Sequence, residues 1–215
     1  MLVQRTLTKN PRGEAWMELL ELISGLFLAL FIQVHILAVS NVLFGAAAFD
    51  HKSHQMDEIY LSHIAIFLVC VAILGHGLLA MRKAPWRFQE AQIVWRHAKL
   101  LQHDETWYWL VQIVTGLAVL VLAVIHIAGV LTDWPIQAVK SAARVQSGGF
   151  IFYLILIGIA EVHAFLGVYR IFIKWGWWPR KPIFKYLVYT AIAFSTLGVF
   201  TLFVFLLFIS AGGGA

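Results

Sequence analysis

The stretch IYLSHIAIFLVCVAILGHGLLAM, Ile59–Met81, holds no Asp, Glu, Lys or Arg. At a rise of 1.5 Å per residue it is long enough to cross a hydrocarbon core of about 30 Å. Hydrocarbon offers a backbone no partner but itself, so the segment must be helical. Four more stretches read the same way, at about Trp16–Phe44, Thr106–Leu131, Phe150–Trp175 and Phe184–Ile209. Together they account for most of the 215 residues and leave no room for a separate soluble domain. The expectation is one all-α, polytopic domain over residues 1–215, a bundle of five transmembrane helices.

Composition agrees. The chain is 61% hydrophobic and 13% charged, whereas a soluble domain is roughly 45–50% apolar and about 25% charged. Its single cysteine, Cys70, lies inside an apolar run. That excludes a disulfide framework, a cysteine-ligated iron–sulfur cluster and a C-x-x-C-H haem attachment. The net charge of +5 comes from clusters at the ends of the apolar runs, which membrane orientation explains better than nucleic acid does. Met1–Gly13 is polar and basic, and the long apolar run after it does not read as a cleaved signal peptide. Beyond the Gly212–Gly214 tail there is no low-complexity segment, and no internal repeat.

Thirteen of the 16 Lys and Arg fall on one side of the five spans. They are Arg5, Lys9 and Arg12 in the tail, Arg82, Lys83, Arg87, Arg96 and Lys99 after the second span, and Arg170, Lys174, Arg180, Lys181 and Lys185 around the fourth turn. Only Lys52, Lys140 and Arg144 lie on the other side. The asymmetry predicts a cytoplasmic N-terminus and an outer C-terminus. Trp16, Trp86, Trp107, Trp109, Trp134, Trp175, Trp177 and Trp178 mark the span ends as an interfacial belt.

Of nine histidines, His51, His54, His97 and His103 are expected in solvated loops, and His35, His63, His76, His126 and His163 within spans. An ionisable residue at membrane depth is costly unless partnered, and so points to function. Counting along outward helices puts His35 and His126 roughly 24–26 Å above the inner boundary. Counting along inward helices puts His76 and His163 roughly 20–26 Å below the outer one. The four sort into an outer pair and an inner pair, roughly 15–18 Å apart along the membrane normal. Two neutral imidazoles facing each other suit a six-coordinate b-type haem, and zinc would want three or four ligands. Gly75, Gly77, Gly129, Gly158 and Gly167 near these positions fit either close helix packing or clearance for a porphyrin. His63 lies about 220° around its helix from His76 and is expected to line an outer pocket.

Gly25-Leu-Phe-Leu-Ala-Leu-Phe with His35, His76-Gly-Leu-Leu-Ala-Met-Arg-Lys-Ala-Pro85, Gln112-Ile-Val-Thr-Gly116 with His126, and Glu161-Val-His163 followed by Gly167-Val-Tyr-Arg170 and Lys174-Trp-Gly-Trp177 carry a resemblance. From about residue 16 to 178 the chain resembles the dihaem cytochrome b subunit of quinol:fumarate reductases and related succinate dehydrogenases. The resemblance implies two haems b, distal on His35 and His126 and proximal on His76 and His163. It implies propionate partners among Trp109, Lys174, Ser24 and Arg170. It implies an outer menaquinol site, for which the connection offers Asp50, His51, His54, Asp57 and Glu58, with His63 nearby. It further implies a bacterial inner membrane, an iron–sulfur subunit and a flavoprotein on the cytoplasmic side, and an assembly of two heterotrimers. The basic face and the connection Arg82–Glu105 would dock those subunits. Glu161, about 17 Å below the outer boundary and turned about 200° from His163, would be a proton relay. The chain has no flavin motif and no dicarboxylate site, so it is enzymatic only as a subunit. The alternatives are a cytochrome b of a membrane hydrogenase or formate dehydrogenase, and a haem-free transporter with packed polar histidines.

Overall fold

A computed structural model describes residues 11–210, and every element among them is helical. Arg5, Lys9 and the Gly212–Gly214 tail lie outside the described residues. Five helices are long and apolar enough to cross a membrane: α1 (Pro11–Val39), α3 (Leu61–Met81), α5 (Asp104–Leu131), α7 (Phe150–Trp175) and α8 (Arg180–Leu207). Three shorter helices fill the connections: α2 (Ala46–Glu58), α4 (Phe88–Leu101) and α6 (Ala138–Arg144). The chain is a multi-pass membrane protein. Below, "inner" names the end that carries most of the basic residues.

The span boundaries follow local chemistry. A 3₁₀ turn, Ser40–Phe44, extends α1, and Gly45 then turns the chain at a φ of +103° that a side chain would resist. The expected start of the second span at Ile59 moves to Leu61, because Tyr60 adopts a left-handed φ of 56° that separates α2 from α3. Gly148, at φ +100°, allows the turn between α6 and α7. The expected fifth span of Phe184–Ile209 begins instead at Arg180, directly after Pro179.

α1 packs on α3 and α7, α5 packs on α7 and more loosely on α3, and α8 lies against the outside of α7. α1, α3, α5 and α7 therefore form a four-helix bundle in which α1 and α5 are diagonal, as are α3 and α7. Large apolar side chains face outwards, among them Leu30, Phe67, Val114, Ile151 and Phe200. Lipid is the solvent such a surface suits. At the outer end Val42, Phe49, Ala138, Ala142, Val145, Leu202, Phe205 and Ile209 form the tightest apolar cluster, which ties α2 and α6 to α8.

The histidines expected in loops sit on ordered elements. His51 and His54 lie on α2 and His97 on α4. His103 caps α5, its Nδ1 accepting from the Glu105 amide at 3.3 Å. α4 buries Ala98 and sets Trp95 against Trp107, 5.3 Å between ring centroids.

Candidate functional site

The bundle encloses one long cavity of ≈ 1070 Å³, lined mainly by apolar side chains, with His35, His76, His126 and His163 all on its wall. Pockets for single small molecules span roughly 300–1,000 Å³, so this one lies at the top of that range. Its histidines form two layers. His35 (α1) and His126 (α5) have ring centroids 6.0 Å apart, and His76 (α3) and His163 (α7) 6.5 Å. Each layer thus joins diagonal helices across the cavity. A metal-bound imidazole, with its nitrogen at ~2 Å, has its ring centre about 3 Å from the metal, so an opposed pair needs about 6 Å between centroids. Both layers meet that requirement. Among the described residues no three His, Cys, Asp or Glu side chains converge, so each layer offers a metal its two imidazoles only.

Local bonding prepares the inner pair. Ser24 Oγ donates to the Leu20 carbonyl at 2.7 Å and lies 3.2 Å from Nδ1 of His76. Thr115 Oγ1 donates to the Val111 carbonyl at 2.7 Å and lies 3.2 Å from Nδ1 of His163. With each hydroxyl hydrogen directed at a helix carbonyl, each oxygen can accept from Nδ1–H. That arrangement favours the tautomer with its lone pair on Nε2, the one a metal ligand needs. The Gln112 amide lies 3.4 Å from Nε2 of His163. In the outer pair, His35 stacks on Phe31 and His126 meets Tyr153 edge-on, while Nδ1 of His126 is buried without a partner.

Two glycines make the inner layer possible, and they sit on the facing helices. A Cβ at Gly25 would come within 3.0 Å of the His76 ring, and one at Gly116 within 2.8 Å of the His163 ring. Of the glycines that fit either close packing or clearance, Gly75, Gly77, Gly129 and Gly158 would place a Cβ in open space with nothing within 4 Å, and a Cβ at Gly167 would come within 3.0 Å of the Gln112 side chain.

The implied propionate partners divide. Trp109, Arg170 and Lys174 line the inner end of the cavity, with Lys174 ion-paired to Glu18. Ser24 is engaged with His76 instead. At the outer end Arg144 lines the cavity and holds Asp133 at 2.8 Å, a role beyond that of an outer topogenic charge. Midway, Glu161 is buried, and Gln33 on α1 donates to both its carboxylate oxygens at 3.1 and 3.2 Å. Gln33 was missed, although a glutamine two residues from His35 in an apolar span was a visible signal.

The candidate quinol residues do not come together. Asp50 accepts from the Ala138 amide at 2.7 Å, which caps α6, and His51 bonds Gln55. Glu58 pairs with His54, both exposed. His63 packs on Trp134, 4.8 Å between centroids, in a small groove with Phe67 and Cys70 that is separate from the main cavity. Asp57 keeps Oδ1 buried without a hydrogen-bond partner. Lys52, Ser53 and Met56 of α2 do reach the cavity wall.

The succinate dehydrogenase/fumarate reductase transmembrane subunit family matches residues 88–205. The chain belongs to this family. The matched part of this transmembrane subunit contains His126, Glu161 and His163. The fumarate reductase cytochrome b subunit of Wolinella succinogenes is 32% identical over 184 residues, which cover 80% of this chain and 72% of that protein. That of Helicobacter pylori is 31% identical over 180 residues, covering 79% and 70%. Both relatives share most of their length with this subunit, so the likeness extends beyond the family match into the earlier helices.

Proposed function

We propose that the chain is the dihaem cytochrome b subunit of a menaquinol:fumarate reductase or succinate dehydrogenase complex in a bacterial inner membrane. The observation that carries the reading is the pair of diagonal imidazole layers, 6.0 and 6.5 Å between centroids, on the wall of one apolar cavity. Haem b, bound in both layers, supplies one-electron transfer between menaquinol at the outer end and an iron–sulfur subunit at the inner end. His35 and His126 hold the outer group, and His76 and His163 the inner one. Ser24 and Thr115 orient the inner ligands through Nδ1. Trp109, Arg170 and Lys174 meet the inner propionates. Menaquinol is oxidised at the outer end, where Asp57 is the carboxylate with a free buried oxygen.

The N-terminus is cytoplasmic and the C-terminus outside. The iron–sulfur and flavoprotein subunits dock on the basic face, and two such heterotrimers pair in the membrane. The dicarboxylate chemistry belongs to the flavoprotein, so this chain is enzymatic only within the complex. Glu161, held by Gln33 at mid-depth, moves protons along the bundle beside the electron path. A proton that travels with each electron removes the charge movement the membrane potential opposes, about 2.3 kcal/mol per charge at 100 mV.

The test is the purified complex. Two haems b per chain and fumarate reduction driven by a menaquinol analogue are expected. A preparation without Soret and α bands on dithionite reduction refutes the reading.

A further inference from the structure

Glu14, Glu18 and Glu21 stand at i, i+4 and i+7 and form an acidic stripe on the inner turns of α1. Basic residues at the inner ends of two other helices meet it. Arg82 Nη1 lies 2.8 Å from Glu14, Lys83 Nζ lies 2.9 Å from Glu18 and 2.6 Å from Glu21, and Lys174 pairs with Glu18. Topogenic charge explains the lysines and arginines but not the carboxylates, which do little for orientation. Helix anchoring would explain the pairs equally well at any position. What singles out one pair is its place. Glu21 and Lys83 both line the cavity, and Lys83 follows His76 by seven residues, just past the inner end of α3. Glu21 is also one turn from Ser24, whose Oγ lies 3.1 Å from the Glu21 carbonyl and 3.2 Å from Nδ1 of His76. Their side chains are only 22% and 37% exposed, so water screens them incompletely.

We propose that Glu21 and Lys83 tune the reduction potential of the inner haem in opposite directions, Glu21 lowering it and Lys83 raising it. The proposal rests on the dihaem reading. Loss of an electron adds one positive charge at the iron. A carboxylate nearby stabilises that oxidised state and an ammonium destabilises it, in proportion to the field each maintains in a poorly screened site. The juxtaposition lets the protein set the driving force for electron exchange at the inner end without changing either axial ligand.

The experiment is a redox titration of the purified complex, followed at the α band, with the inner component identified as the one missing from His76→Ala. In Glu21→Gln the inner midpoint is expected to rise, so that at the wild-type midpoint the reduced-to-oxidised ratio increases several-fold. In Lys83→Gln it is expected to fall by a similar factor, with the outer component unmoved in both. An inner midpoint that stays in place, or moves in the same direction in both variants, overturns the proposal. Loss of haem from either variant assigns the pair to structure and overturns it as well. If Glu21→Gln does not assemble, the sign in Lys83→Gln decides alone: a fall supports the proposal, a rise or no change overturns it. Failure of the dihaem reading looks different, since the unmodified complex would then lack two redox components.

Discussion

Replacing Thr115 by Val tests whether the inner ligands are held by helix hydroxyls. The change keeps the branched shape and removes the oxygen that lies 3.2 Å from Nδ1 of His163. Nδ1–H then loses its acceptor in a half-buried, apolar setting. An unsatisfied buried donor costs about 1–3 kcal/mol. Loss of an outer-shell partner of a ligating histidine typically weakens metal binding 10–100-fold, which is about 1.4–2.7 kcal/mol, so the two estimates agree. Ser24→Ala should act the same way through His76. The assay is haem content of the purified complex by haemochrome spectrum, with a redox titration to show which component is lost. The inner haem should be depleted or low in occupancy, and the outer one intact. Thr190→Val is the control. Thr190 also donates to a carbonyl one turn back, Tyr186 at 3.0 Å, but it faces outwards and touches no histidine. Equal haem loss in Thr115→Val and Thr190→Val, or full inner occupancy in both Thr115→Val and Ser24→Ala, would refute the reasoning.

Gly25→Val and Gly116→Val should each expel the inner haem while leaving the outer, because even the first added carbon comes within 3.0 and 2.8 Å of a ligand ring; separate α-band titration of the two components checks it. Glu161→Gln should leave both haems bound and lower menaquinol-linked turnover by roughly 10²-fold or more, the size expected for a lost proton-transfer group, while fumarate reduction by a soluble dye persists. Wild-type quinol activity in that variant would make Glu161 a structural residue. Charge reversal at the exposed Arg87, Arg96 and Lys99 on and beside α4 should release the hydrophilic subunits at moderate salt without altering haem content, as read by co-purification.

The spans were legible because apolar length is a one-dimensional signal. α7 begins and ends where the apolar run Phe150–Trp175 does. Depth was legible for the same reason: a fixed rise per residue sorts four histidines into two levels, and the structure brings those same pairs together across diagonals. Partnerships between helices were not. Ser24 meets His76 across 52 positions and Gln33 meets Glu161 across 128, and such contacts depend on how each helix is rotated against its neighbour. The glycines show the same limit. Gly75, Gly77, Gly129 and Gly158, near the histidines in sequence, meet nothing within 4 Å, whereas Gly25 and Gly116, on other helices, meet the His76 and His163 rings. α4 carries no spanning-length signal, because its amphipathic run of 14 residues is too short to cross. In the outer connection the fold engages Asp50 in capping α6, a use that no local spacing announces.

The central claim is that the four histidines form two cofactor sites, paired by depth. The direct measurement is a redox titration of the assembled complex carrying His35→Ala, His126→Ala, His76→Ala or His163→Ala, one at a time. A bis-imidazole site that loses one ligand should lose its haem or turn high-spin. His35→Ala and His126→Ala should abolish one and the same component, and His76→Ala and His163→Ala the other. Loss of the same component from His35→Ala and His76→Ala, or retention of both low-spin components in any of the four, would contradict the account.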